Sequence, residues 1–274
     1  MVRGDYFYKR EVANRFDNEC AILQRLGEGD TMSAFAPEFM GVESIDDVRY
    51  LKMRHFLLAF DQATLCQMDV KLGVRTHAES ELSSTKPRKD LFERLQSMNP
   101  SVLTVEELAA GSITKARWMT LRDTMSSTRK HGFRIDGIIT PTTRRTAFGD
   151  LANVAEDAQI LETLRYFFPA AAGGQPQATA AKLLERLGDL ERALRQSTLF
   201  AESEVIGSSV LFAADATGRC GLWVLDFGLT VPSPCGPVRH DVPWERGNHE
   251  DGYLIGLSNL QRLFATLVEQ DRWL

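Results

Sequence analysis

The sequence predicts an α+β fold built as two lobes of one 274-residue chain. Three observations predict it. Short apolar/polar alternations, the period of half-buried strands, crowd the first 72 residues. The middle reads as interrupted amphipathic helices, and two apolar, β-branched runs, "EVIGSSVLFAAD" and "CGLWVLDFGLT", flank the turn "ATGR" as an antiparallel hairpin.

In chain order, "DYFYKREV" reads as a strand carrying Lys9, and the spacing of Val12, Phe16, Ile22 and Leu23 predicts a helix ending at Gly27. "EFMGVES" and "DVRYLKM" follow as short strands. In "CQMDVKLG", residues 66 to 73, Met68, Val70 and Leu72 alternate with Gln67, Asp69 and Lys71, so one face is buried while a carboxylate and an ammonium share the other. "RKDLFERLQSM" is a helix burying Leu91, Phe92 and Leu95. "TVEELAAG" opens with Thr104 and Glu107 at capping-box spacing and stops at Gly111. "TKARWMTLRDTM" puts Lys115, Trp118, Met119 and Arg122 at i, i+3, i+4, i+7, a helical face of two cations and an indole. Two longer helices are expected near 149–168 and 178–197, with a surface connection at 169–181, and the chain closes on an amphipathic helix in "EDGYLIGLSNLQRLFATLVEQD".

Composition narrows the class of protein. With 43% hydrophobic and 25% charged residues the chain is globular, neither disordered nor fibrous. Cys20, Cys66, Cys220 and Cys235 show no C-x-x-C spacing and read as buried thiols of a reducing compartment, not as a zinc site or a disulfide framework. His240 and His249 lack metal-ligand spacing. Without a signal peptide or an apolar run of about 18 residues, the expectation is a cytoplasmic or nuclear protein with no membrane insertion. The net charge of −5 conceals a division: residues 71–145 carry 14 Lys+Arg against 8 Asp+Glu, a local excess of +6, and the remainder stands at −11. A basic segment in an acidic chain points to a local anionic ligand and away from nucleic acid.

Asp226 ends the apolar run Leu222–Leu225 and precedes Phe227 and Gly228. A carboxylate at the end of a buried strand needs a partner, which a capping amide or a bound Mg²⁺ supplies equally well. An Asp-Phe-Gly triplet holds the metal on ATP phosphates in protein kinases, but neither H-R-D nor A-P-E is present, which argues against a protein kinase. Lys9 on an early strand, Asp69 and Lys71 on a middle one and Asp226 on a late one still follow the layout of a two-lobed kinase.

"MDVKLG", "GSSVLF" and "LDFGLT" resemble the signature of the inositol phosphate kinase family, P-x-x-x-D-x-K-x-G followed by S-S-L-L and a metal-binding D-F. "DVKLGVRTHAESEL", "ITKARWMTLRDTMSST", "GFRIDGI" and "PWERGNHEDGYLIGLSN" resemble its inositol 1,4,5-trisphosphate 3-kinase branch, over nearly the whole chain from Lys9 to Glu269. The resemblance implies an ATP-grasp/protein-kinase-like fold with a helical inositol-binding lobe inserted: a nucleotide lobe over 1–60, a catalytic lobe over 61–274 and the insertion at 80–130. It implies ATP and Mg²⁺ as cofactors and transfer of the γ-phosphoryl to the 3-hydroxyl of inositol 1,4,5-trisphosphate. By position, Lys9 is implied to contact ATP phosphates with Glu19 as its partner, Arg54, His55 and Phe56 to form the adenine hinge, and Asp69 to hold the ribose. Lys71 is implied to be catalytic and to touch substrate, Ser209 to line the same site and Asp226 to be the catalytic metal ligand. Arg88, Lys89, Arg94, Lys115, Arg117, Trp118, Met119 and Arg122 map to the inositol-phosphate clamp.

The sequence departs from that pattern. Leu65 replaces the signature proline, the hinge reads "MRHF", and Ile139 and Leu229 stand where the branch carries lysines. The chain starts almost at Lys9, so the hairpin that covers ATP in the family is expected to be truncated or replaced by another closure. These departures keep two alternatives open, a multikinase acting on several ring positions and a non-catalytic inositol-phosphate sensor. Calmodulin is a further candidate partner, since "RKDLFERLQSM" is a basic helix with apolar anchors.

Overall fold

The computed structural model describes residues 1–12, 15–146, 149–171 and 175–270. Residues 1–54 form an antiparallel sheet of order β1-β2-β4-β3: β1 (Val2–Arg3), β2 (Tyr6–Arg10), β3 (Phe39–Ile45) and β4 (Val48–Arg54). Helix α1 (Phe16–Gly27) packs beside it, burying Phe16, Ile22, Leu23 and Leu26 as the apolar spacing requires. β1 and β2 pair as a short hairpin at the start of the chain, an element the sequence does not announce.

The second sheet has the order β12-β11-β5-β8-β9: β5 (Cys66–Leu72), β8 (Phe133–Ile139), β9 (Arg144–Thr146), β11 (Ser209–Ala214) and β12 (Cys220–Leu225). Between β5 and β8 lie β6 (Pro87–Arg88), α2 (Lys89–Met98), α3 (Val105–Ala110), β7 (Ile113–Thr114), α4 (Lys115–Met125) and α5 (Thr128–His131). α2 and α4 enclose a separate apolar cluster of Leu91, Phe92, Leu95, Leu103, Ile113 and Trp118. α3 opens on the expected capping box, Thr104 with Glu107, and ends at Gly111 in the left-handed region. Then come α6 (Asp157–Ala171), α7 (Pro176–Gln196), α8 (Thr198–Ala201), β10 (Ser203–Glu204) paired with β13 (Val231–Pro232), and α9 (Tyr253–Glu269).

β5 is the central strand. Cys66, Met68, Val70 and Leu72 are fully buried in the core shared with α6, α7 and α9, while Gln67, Asp69 and Lys71 line its other face. The strand ends at Gly73 for a steric reason. Its φ is +106°, and a Cβ there would lie 3.0 Å from the carbonyl oxygen of Asp251. The Gly73 amide donates to Gly132 O at 2.7 Å and the Val74 amide to Asp251 O at 2.7 Å. The end of β5, the turn before β8 and the start of α9 thus cross almost without side chains.

Three expectations need correction. The helix placed at 149–168 begins at Asp157, because Gln159 Oε1 accepts from the amides of Ala155 and Glu156 and Gly149–Asp150 form a turn. Cys235 is exposed and Cys20 and Cys220 are half-buried; only Cys66 is a buried thiol. β8, which pairs with β5 on the side away from β11, has no counterpart among the strands read from the sequence.

Candidate active site

The open face of the second sheet and the first sheet bound a cleft containing two adjoining cavities. The first, about 440 Å³, is mostly apolar, with Phe7, Leu23, Met53, Phe56, Leu57, Leu211, Leu225 and Phe227 among its walls. The second, about 370 Å³, has six cationic side chains on its wall, Lys9, Arg15, Lys71, Lys115, Arg122 and Arg134. Lys9, Glu19 and Asp226 border both.

That shared boundary is a charge cluster. Lys9 Nζ donates to Glu19 Oε1 and to Asp226 Oδ1, each at 2.6 Å. Burial disfavours the ammonium, but Asp226 and Glu19 outweigh it and hold the Lys9 pKa above its ordinary value. Asp226 stands where β12 stops. Its backbone is left-handed (φ 65°, ψ 57°), a conformation that costs a non-glycine residue about 1–2 kcal/mol. Burial would raise its carboxyl, yet Lys9 and Lys71 overcome this and keep it below the usual carboxylate range. Asn18 on α1 donates to Thr230 O at 2.7 Å and Gly228 O at 3.2 Å, locking α1 against this turn.

The sheet register sets the rest. Lys71 on β5 faces Ser209 on β11 and Arg134 on β8 directly across the strands. Lys71 Nζ donates to Ser209 Oγ at 2.7 Å and Gly207 O at 3.1 Å and stands 3.9 Å from Asp226 Oδ2. In the next row Asp69 opposes Leu211 and Gly137. Val70 pairs with Ile135, so Asp136 is the extra residue of a β-bulge. The bulge lets Arg134, Asp136 and Gly137 all serve the cleft face. Asp136 Oδ1 accepts from Arg134 Nε at 2.7 Å and from Arg122 Nη2 at 3.1 Å. Its carboxyl lies below the ordinary range because Arg134, Arg122 and Lys71 overcome burial. Burial and the neighbouring Arg134 charge push the Arg122 guanidinium down to about 10. Asp69 moves the other way: burial raises its carboxyl more than Lys71 and Ser209 lower it, and its Oδ1 is buried without a hydrogen-bond partner.

The clamp residues predicted from the sequence divide into two groups. Lys115, Trp118, Met119 and Arg122 do share one face of α4 and line the second cavity. Arg88, Lys89, Arg94 and Arg117 do not line it. Arg88 is taken by Asp90 at 2.5 Å, Lys89 and Arg94 are exposed on α2, and Arg117 is turned to Glu107 at 2.8 Å and Val102 O at 3.0 Å, tying α4 to α3. Of the hinge, His55 and Phe56 line the first cavity, while Arg54 points outward onto Glu38 at 3.2 Å. Asp69 and Ser209 line neither cavity; Gln67, two residues before Asp69 on the same face, lines the first. Leu91, Phe92 and Leu95 of α2 are packed inside their cluster, so this helix does not offer them as free anchors to a groove-binding partner.

Arg134, Glu81, Thr76 and Arg15 line the second cavity and were missed. Arg134 and Asp136 carried a signal, two opposite charges at i, i+2 in "GFRIDGI", the same spacing as Asp69 and Lys71. His240 and His249 are structural: His240 is sandwiched between Asp251 at 2.9 Å and Phe200 O at 2.8 Å, and His249 meets Glu204 at 2.7 Å.

The inositol polyphosphate kinase family model matches residues 50–265. The chain belongs to the inositol polyphosphate kinase family. Among relatives, it is 37% identical to human inositol-trisphosphate 3-kinase A over 246 residues, covering 88% of this chain and 51% of that one. It is 39% identical to human inositol-trisphosphate 3-kinase B over 265 residues, 95% of this chain and 27% of that one. A Caenorhabditis elegans inositol-trisphosphate 3-kinase homolog is 33% identical over 264 residues, 96% of this chain and 52% of its own length. The chain thus spans about half or less of these curated relatives. Among solved structures, the inositol phosphate multikinase Ipk2 of S. cerevisiae, in complex with ADP and Mn²⁺, superposes with a TM-score of 0.62 at 15% identity, covering 97% of this chain and all of that one. Family membership and the shared kinase-like α+β fold are therefore established for this chain. No helix of the described residues is long and apolar enough to cross a membrane.

Proposed function

We propose that this inositol polyphosphate kinase transfers the γ-phosphoryl of ATP to the 3-hydroxyl of inositol 1,4,5-trisphosphate, giving the 1,3,4,5-tetrakisphosphate. The observation that carries the reading is the meeting of an apolar cavity and a cationic cavity at Lys9, Glu19 and Asp226, with Lys71 of the cationic cavity 3.9 Å from Asp226. A planar base fits the first, a ring bearing three phosphates fits the second, and the phosphoryl group crosses where they join. Relatives named inositol-trisphosphate 3-kinases at 37–39% identity support the choice of substrate.

The donor set fits a Mg²⁺-nucleotide. Asp226 is ionised, about half exposed and at the junction. Among the described residues no group of three or more His, Cys, Asp or Glu could hold a metal by itself. That suits Mg²⁺, which prefers a carboxylate or two with substrate phosphates and waters for its remaining positions. When bound, the ion supplies charge neutralisation on the phosphates. Lys9 then binds the nucleotide phosphates and keeps Asp226 oriented. Lys71, fixed by Ser209 and Gly207 O, points its ammonium at the phosphoryl in transit. The 3-hydroxyl oxygen forms its bond to the γ-phosphorus as the bond to the β-phosphate bridging oxygen breaks, leaving ADP. Alignment and fixed positive charge dominate such a transfer, and a strong base is not required. Arg122, Arg134 and Lys115 hold the ring phosphates, for which guanidinium forks are suited.

The test is incubation with Mg²⁺-ATP and inositol 1,4,5-trisphosphate followed by product analysis. Formation of the 1,3,4,5-tetrakisphosphate, lost in Lys71→Ala and Asp226→Asn proteins that melt like the parent, is expected. No turnover, or phosphorylation at another ring position, overturns the reading.

A further inference from the structure

The second cavity is not uniformly cationic. Of its three carboxylates, Glu19 and Asp226 both hold Lys9 on the border with the apolar cavity. Glu81 is the third and does not border the apolar cavity. It pairs with Lys115 through Oε1, and Oε2 accepts from the Ala78 amide at 3.1 Å. The carboxylate is therefore fixed from two sides, and its side chain is only 19% exposed.

Its placement differs in kind from that of Asp136. Arg122 and Arg134 share Asp136, which does not line the cavity, so the wall presents their guanidiniums without that carboxylate. Lys115 is balanced by an acid in the wall itself. A wall made only of cations would attract a ring more strongly with every phosphate added. An ammonium with a carboxylate beside it is instead a donor–acceptor pair, and that matches a hydroxyl, whose oxygen accepts while its hydrogen donates. A phosphate in the same place would bring like charge against a fixed carboxylate.

We propose that Glu81 is a specificity-determining residue: it accepts a hydrogen bond from an unphosphorylated hydroxyl of the inositol ring and excludes rings carrying phosphate at that position. The inference rests on reading this cavity as the inositol-phosphate site, and it adds that the site counts phosphates by rejection as well as by attraction. Lys115 keeps two further N–H groups for a neighbouring ring substituent.

Calorimetric titration of the parent protein, Glu81→Gln, Glu81→Ala and Glu81→Asp with inositol 1,4,5-trisphosphate and with inositol hexakisphosphate tests this, with melting curves for each. The parent should favour the trisphosphate. Gln and Ala should each narrow that preference at least tenfold, mainly by tighter hexakisphosphate binding, while Asp retains most of it. Two variants without the charge guard against one failing to fold. If Gln and Ala strengthen both ligands equally, or leave the ratio unchanged, Glu81 is only a counter-charge and the proposal is overturned. If the parent does not bind the trisphosphate at all, the reading of the cavity fails first, and that outcome is seen without any variant.

Discussion

Replacing Asp136 by Asn keeps the shape of the bulge but removes the charge shared by two guanidiniums. Asp136 is 17% exposed, Arg122 17% and Arg134 4%, so solvent screens these pairs little. At an effective dielectric near 20, each contact is worth about 4 kcal/mol of attraction before desolvation is subtracted. Removing one partner of a buried pair typically costs about 3–5 kcal/mol. Asn still offers an acceptor oxygen, so the lower end, about 3 kcal/mol, is expected, a fall of roughly 6–12 °C in melting temperature at about 2–4 °C per kcal/mol. Arg122, without its Asp136 contact, should bind substrate less well, and a tenfold rise in KM for the trisphosphate with an unchanged KM for ATP is the kinetic signature. The pH profile adds a sign. The folded-state carboxyl lies below its ordinary range, so its stabilisation is complete above the unfolded carboxylate pKa, about 3.9, and is lost as pH falls through the folded value. The gap in melting temperature between parent and variant should stay constant from pH 8 to about 5 and close in stronger acid. A variant that melts within about 2 °C of the parent, or that raises both KM values alike, refutes the argument.

Gly256→Ala inverts the usual helix preference: a Cβ there would lie 1.9 Å from Gly132 O, so α9 must shift and destabilisation of about 1–3 kcal/mol or more is expected by thermal melting, where an unobstructed helix site would gain stability. Phe56→Ala removes a wall of the apolar cavity and a ring 4.5 Å from Trp223, and should raise KM for ATP about tenfold while leaving KM for the inositol phosphate in place. Asp69→Asn should raise the melting temperature at neutral pH. Burial holds the folded carboxyl above its ordinary value, so ionisation opposes folding once pH exceeds the unfolded pKa, by about 1.4 kcal/mol for each tenfold weakening of the acid, and the gain should vanish near pH 3.

What the sequence made legible was periodic or local. The alternation of 66–72 announced both faces of β5, and the i, i+3, i+4, i+7 face of α4 gathered four of the cavity residues. Arg88, Lys89, Arg94 and Arg117 were grouped with them by the family resemblance, and the fold sets them outside the cavity lining, Arg88 paired with Asp90 and Arg117 with Glu107. Arg134 was missed because its meaning depends on register. Only pairing of β8 with β5 sets it opposite Lys71, and only the bulge at Asp136 keeps the following residues on the cleft face. Glu81 was not singled out because its partner Lys115 lies 34 residues away in the chain and only the fold brings the two together.

Under the proposed function, the distribution of acids across the cleft would let one sheet serve two anionic ligands without fusing them into one site. Four of the cations have carboxylate partners in distinct places: Lys9 at the boundary with Glu19 and Asp226, Arg122 and Arg134 with Asp136 outside the cavity lining and Arg134 also 3.6 Å from Asp123, Lys115 within the wall with Glu81. Fields from fixed charges at such distances are strong inside and fade across the cavity mouth, so direction matters more than net charge. Lys71 differs. Its close contacts are a hydroxyl and a carbonyl, and its nearest carboxylate is 3.9 Å away on Asp226, the residue the metal would occupy. A divalent cation held by Asp226 would supply charge neutralisation on the phosphates and would leave the Lys71 ammonium with less compensation from that carboxylate. The two-residue step from Asp69 to Lys71 keeps both on the open face of β5, with Asp69 Oδ1 buried without a hydrogen-bond partner and the Lys71 ammonium 3.9 Å from Asp226.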